Sequence, residues 1–185
     1  NRMRSEKIKQ LLEKFESAMQ LLDGVECWSA RDLQVLLGYT QWRNFSRVIE
    51  KAKAAAVNAE VDINNHFPEV SKMVELGSSS KREIEDIALT RYACYLIAQN
   101  GDSIKPQIAV AQKFFAFRAD GTPTEFVNEI LQRPASTVFE QIKRFDDDYS
   151  EFWSARELSR ILEYSQFRHF VRVVERAKEA CKNSG

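Results

Sequence analysis

No sign of charge prevails in this sequence: 27 lysines and arginines balance 27 aspartates and glutamates over 185 residues. A polynucleotide binder usually carries a basic excess, so an anionic partner has to be met by a local patch rather than by the whole surface. Cysteine is scarce. Cys27, Cys94 and Cys181 are odd in number, far apart and without a CxxC pair, which excludes a disulfide framework and fits a reduced, cytoplasmic setting. The two histidines, His66 and His169, do not stand at metal-ligand spacing, so no metal and no other cofactor is expected. Also missing are an apolar run of membrane-spanning length, a secretory leader, a phosphate-binding glycine loop and a nucleophile–base pair. These absences point to a non-enzymatic chain that stays off the membrane. The carboxylates Glu83, Glu85 and Asp86 read as solvated charges rather than a metal-holding cluster.

What the sequence does have, it has twice. Residues 26–60 read ECWSARDLQVLLGYTQWRNFSRVIEKAKAAAVNAE, and residues 151–185 read EFWSARELSRILEYSQFRHFVRVVERAKEACKNSG; the two align without a gap, and about half of the positions are identical. Repetition at this scale marks a repeated structural unit. Ser29 and Ser154 read as helix N-caps with an acid three residues on, Asp32 and Glu157, the second a full capping box. Tyr39-Thr40 and Tyr164-Ser165 end that short helix, with Thr40 and Ser165 as caps for the next. Gly38 suits a left-handed turn residue, yet its counterpart is Glu163, so the turn does not absolutely require glycine.

In the next helix Trp42, Phe45, Val48, Ile49 and Ala52 recur at core-facing spacing. Arg43, Arg47 and Lys51 stand four apart and line up on another face, and the second copy keeps the line as Arg168, Arg172 and Arg176. Three cations in register oppose one another by roughly a few tenths of a kcal/mol per pair, so something outside the helix should reward them. An anionic backbone would do so. A solvated face is the plain alternative, and Glu50 and Glu175 sit close enough to neutralise part of each line.

Taken in order, Ser5 to Leu22 predicts a helix ended by Asp23-Gly24, and Val25 to Trp28 a short strand. Ala54 to Asn65 loses its apolar pattern and predicts a loop. Phe67–Leu76 and Arg82–Leu89 flank a glycine and serine tip and predict a hairpin. Thr90 caps a helix closed by Asn100-Gly101, and Pro106 opens another. The fold class is therefore α+β and mainly helical. Two helices joined by a short turn and followed by a hairpin give the outline of a winged helix-turn-helix, in which the second helix enters the major groove. Arg43, Asn44 and Arg47 are placed for base edges, Lys51 and Lys53 for phosphate, and Lys81 and Arg82 for a hairpin wing. Residues 5–118 form one domain, 119–136 a linker with a short helical piece at Phe126 to Leu131 and Pro134 as punctuation, and 137–185 a half-unit that cannot bury Phe167, Phe170, Val173 and Val174 alone. Either the chain continues, or the half packs onto the first domain, or it completes a unit with another molecule.

WSARDLQVLLGY, QWRNF, VIEKAKAA, VSKMVELGSSSKREIEDIALTRYACYLIAQNGD and AQKFFA resemble, as an ordered series, the N-terminal domain of the BRO family in the version carried by its bacterial DNA-damage-inducible branch. The resemblance covers about residues 5 to 118, and its opening half recurs in 137 to 185. It implies a DNA-binding domain, a link to the DNA-damage (SOS) response, a nucleoid-associated place in a bacterial cytoplasm, and a recombinase filament as a partner. The usual bacterial form carries a different C-terminal region where this chain has the partial repeat. The competing expectation is a protein-interaction module in which Phe167, Phe170 and Val174 drive self-association to a homodimer or grip another protein.

Overall fold

The computed structural model describes residues 2–77, 80–118, 121–132 and 138–184. The expected hairpin tip at Ser78-Ser79, the punctuation at Pro134 and the start of the second copy near Thr137 lie outside the described residues. Helix α1, Arg2–Ala18, stops four residues before the expected end, because Gln20–Leu22 becomes a strand, β1, paired with β2, Val25–Ser29. The link between them is Asp23-Gly24, both left-handed with φ of 51° and 81°. Two successive positive-φ residues make a turn whose twist matches antiparallel strands, so this Asp-Gly pair folds a hairpin rather than merely ending a helix.

Helix α2, Ala30–Leu36, begins where the Ser29 hydroxyl accepts from the Asp32 amide at 3.3 Å. Helix α3, Trp42–Asn58, starts after Gln41 with no side-chain cap, so Thr40 is not its cap. It also runs into the stretch expected as loop. Ala54, Ala55 and Ala56 lack an apolar stripe, but alanine is the strongest helix former, and Ala56 is fully buried. A single turn, α4, Ile63–His66, follows under an Asp62 cap. Strands β3, Glu69–Leu76, and β4, Ser80–Thr90, pair from Glu69 opposite Ile87 to Leu76 opposite Ser80. The four-stranded antiparallel sheet runs β1-β2-β4-β3.

Thr90 closes β4 and opens α5, Arg91–Asn100, its hydroxyl accepting from the Ala93 amide. Pro106 takes the first turn of α6, Pro106–Ala116, where its missing N–H costs nothing. Phe15, Trp28, Leu33, Leu37, Phe45, Ile49, Leu89, Ile97, Ile108 and Phe115 are fully or almost fully buried in one core. At its centre the Trp28 indole donates to the Phe15 carbonyl at 2.8 Å and meets the Phe115 ring edge-on at 5.1 Å.

The stretch expected as a linker contains α7, Glu125–Gln132, and is held to the first body. Thr124 donates to the Ala116 carbonyl, and Phe126 packs against the Tyr92 and Tyr95 rings at 5.1 and 5.2 Å. Then come α8, Val138–Gln141, strands β5, Lys143–Phe145, and β6, Glu151–Trp153, and helices α9, Ala155–Ile161, and α10, Phe167–Ser184. This later region remakes, at a constant offset, bonds seen earlier. The Tyr39 amide donates to the Gln34 carbonyl at 3.0 Å and the Tyr164 amide to the Ser159 carbonyl at 2.9 Å. Tyr39–Phe45 and Tyr164–Phe170 rings both stand 5.2 Å apart. Glu163 holds φ 58° where Gly38 holds 75°, so the turn keeps its left-handed residue at both places. Ser154 makes no side-chain cap bond, and Glu157 pairs with Arg144 instead, so the capping box is not formed.

Helix α10 packs on α6. Its end is tied down where Arg4 donates to the Lys182 carbonyl and Asn183 to the Ser103 carbonyl. Helix α10 thus lies against the first body.

Candidate nucleic-acid interface

Helix α3 buries Phe45, Val48, Ile49, Ala52 and Ala56 along one stripe. At 3.6 residues per turn, Arg43, Arg47 and Lys51 project from the opposite side, and all three, with Asn44, are exposed. No ion pair engages Arg43, Arg47 or Lys51 among the described residues. Lys53 differs. It stands on the helix flank, only 21% exposed at its side chain, and pairs with Glu50 at 3.1 Å. Its charge is therefore largely answered within the helix, unlike those of the line.

The start of α3 is fixed by residues that spacing alone does not reveal. The Arg31 guanidinium lies 3.8 Å over the Trp42 ring and donates through Nε to the Glu85 carbonyl at 3.3 Å. The Arg31 amide donates to Asp86 Oδ1 at 3.1 Å, the Ile87 amide donates to the same oxygen at 2.8 Å, and the Ser29 hydroxyl donates to Asp86 Oδ2. Asp86 is 4% exposed. It is thus no solvated hairpin charge but a buried carboxylate with its donors in place, which is what makes its burial tolerable. The available signal was its acid-before-apolar position in Asp86-Ile87-Ala88-Leu89, where strand alternation gives way to full burial.

Strand alternation also separates the two expected wing cations. Adjacent residues of a strand point to opposite faces. Lys81 shares its face with Glu69, Glu75, Glu83 and Glu85 and stands directly across from Glu75; Arg82 shares the other with Lys72 and stands across from Val74. Both are exposed, but one flat surface cannot meet both. Lys72 is itself engaged by Asp32. The same alternation puts Asp86 on the face opposite Glu83 and Glu85, and among the described residues no group of three His, Cys, Asp or Glu side chains could hold a metal ion.

On α10, Phe170 is buried while Arg168, Arg172 and Arg176 are exposed. The Glu175–Lys178 pair at 2.8 Å matches Glu50–Lys53. The two lines end together, for Lys51 and Arg176 line one groove. Burial pushes the Cys27 and Cys94 thiols up, Cys94 strongly, which leaves neither as a thiolate nucleophile. No helix among the described residues is long and apolar enough to cross a membrane.

Residues 19–116 match the BRO family, N-terminal domain. The chain belongs to the BRO family. It is also similar to the DNA damage-inducible protein D of Escherichia coli (strain K12), with 50% identity over 96 residues, 52% of this chain and 35% of that protein. The chain thus spans about a third of that relative's length. No solved structure matches it. The BRO match takes in β1 to β4 and α2 to α6, so the α3 cations and the hairpin cations lie inside it, whereas those of α10 lie outside.

Proposed function

We propose that this chain is a DNA-binding protein of a DNA-damage response and performs no catalysis itself. In this reading α2 and α3 act as a helix-turn-helix, with Arg43, Asn44 and Arg47 at base edges and Lys51 on phosphate. Arg82 is the better wing contact, because Lys81 shares its face with four glutamates. Region 138–184 is read as a partial second BRO domain whose Arg168, Arg172 and Arg176 extend the contact along the backbone. The observation that carries this is the Arg43–Arg47–Lys51 line, without an ion pair among the described residues, on the side of a BRO-domain helix opposite its buried stripe. The similarity to a DNA damage-inducible protein D supports the damage-response part of this reading, and a nucleoid-associated place is part of the same proposal.

Gel retardation of a short duplex at low salt tests the reading. The Arg43→Ala/Arg47→Ala variant is expected to lose duplex retention without a lower melting temperature, whereas Lys51→Ala, which removes a phosphate contact, should lower the slope of log affinity against log salt by about 0.9. Unchanged affinity removes this face from the interface.

A second reading, self-association or capture of a recombinase filament, is favoured by one observation. Phe145, Phe152, Trp153, Leu162 and Tyr164 are exposed in the later region, side chains that water favours burying. Light scattering of the chain against a Phe145→Ser/Phe152→Ser variant separates the two occupants. A dimer that the variant dissolves is the homodimer, whereas a monomer in both leaves the surface to another protein.

A further inference from the structure

We propose that the groove between α3, the α5–α6 connection and α10 seats a single phosphate group, held between Lys51 and Arg176 with the Ser103 hydroxyl as a neutral donor. The groove has a volume of about 550 Å³. Its polar wall is Lys51, Gln99, Asn100, Ser103, Gln112 and Arg176, with no carboxylate; Val173, Ala177 and Ala180 supply small apolar sides.

Three observations converge on an anion. Lys51 and Arg176 occupy matching places on two helices that repeat each other in sequence, yet they meet at one groove. Neither has an ion-pair or hydrogen-bond partner among the described residues. Ser103, 9% exposed, has an Oγ that is buried with no hydrogen-bond partner among the described residues, and a buried unmet hydroxyl is a cost that a ligand oxygen would remove. A group with several acceptor oxygens and negative charge answers all three together, as a phosphate does.

The C-terminal end of α5 also lies here, and bare carbonyls would repel an anion. One of the terminal carbonyls, Ala98, and that of Leu96 in the turn before accept donors. The Gly101 amide and Gln112 Nε2 donate to the Ala98 carbonyl, and Asn100 Nδ2 donates to the Leu96 carbonyl. Those bonds temper the end of α5, and no carboxylate lines the groove to oppose Lys51 and Arg176.

Only the bearer of the phosphate rests on the DNA-binding reading; the seat does not. A phosphate held there by both helices would join the two basic lines into one track, and a small phosphate compound would use the same donors. The test is a nuclear magnetic resonance titration of the full chain, first with inorganic pyrophosphate and then with a short duplex, following the amides of Gly101 and Ser103. Both titrants are expected to shift these amides, and Lys51→Met and Arg176→Met should each weaken pyrophosphate at least tenfold, with melting temperature as the folding control. Because the two cations share one phosphate, the double variant should lower the salt slope of duplex binding by about 0.9 in total rather than about 1.8. Ser103→Ala should weaken pyrophosphate without changing the net charge.

A pyrophosphate response with no duplex binding keeps the seat and removes DNA as its bearer. Duplex binding in which the two substitutions add fully, or in which Gly101 and Ser103 do not respond, overturns the shared seat. No response to either titrant overturns it as well.

Discussion

Trp28 and Trp153 make the same bond in different surroundings. Each indole donates to the carbonyl of a phenylalanine in the preceding helix, Phe15 at 2.8 Å and Phe139 at 2.9 Å. Trp28 is fully buried and Trp153 is 38% exposed; Leu37 is fully buried and its counterpart Leu162 is 45% exposed. Local geometry is evidently set by the repeated residues themselves, through turns and ring contacts. Burial is not. In the first region β4, α5 and α6 close over the tryptophan, whereas the later region has a two-stranded sheet and borrows α6 for one face of α10. A short motif can carry its shape without carrying its own core.

The largest expected effect tests that contrast directly. Trp28→Ala should destabilise the chain by about 3–5 kcal/mol in urea unfolding, through lost transfer energy and the cavity left behind. Trp153→Ala should cost about 1 kcal/mol, since much of its surface is already wet. Equal losses would mean that something in solution covers Trp153, and the contrast would collapse.

The left-handed turns sharpen it. Gly38→Ala should lower stability by about 1 kcal/mol or more, because a left-handed Cβ is strained and would approach Gln107 at 3.1 Å. Glu163→Gly should raise it by up to about 1 kcal/mol by relieving the same strain. Opposite signs in thermal melts are the expected outcome; a loss at both sites would mean that Glu163 is held by contacts that outweigh its backbone.

The smallest effect belongs to the first region. Burial lowers the His66 pKa more than the Asp62 carboxylate raises it. Below its ordinary value of about 6.5 the unfolded chain therefore binds more protons than the folded one. The contribution of neutral His66 is full above that pH and is lost as pH falls through the lower folded value. The melting temperature should drop slightly between pH 7 and the region below 6.5, and His66→Asn should flatten that drop. A histidine variant that keeps the slope would assign it to other groups.

Much of this fold is legible in residue order. The stripe of Phe45, Val48, Ile49 and Ala52 places α3 and the exposed side of Arg43, Arg47 and Lys51 at once, because one period governs both. Thr90 and Pro106 mark helix starts that the structure keeps. Strand β1 escapes the same reading because Met19 and Leu22 continue the helical spacing of α1, and only the Asp23-Gly24 pair argues otherwise. The alanines of 54–56 hide a helix end because they carry propensity without pattern. The split between Lys81 and Arg82 follows from alternation once the strand register is known, and register is a pairing property rather than a local one. Packing of α10 on α6, and with it the meeting of Lys51 and Arg176, is tertiary, so no spacing rule could announce it.

Asp86 has a consequence for how a partner would be met. A carboxylate locked by three donors cannot let the base of the hairpin pivot against α2, and Arg31 extends the lock to Trp42 at the head of α3. The ordering of hairpin and helix is settled before any encounter, so little conformational entropy remains to be lost on docking. In the DNA-binding reading proposed above, such a surface would select among shapes presented to it.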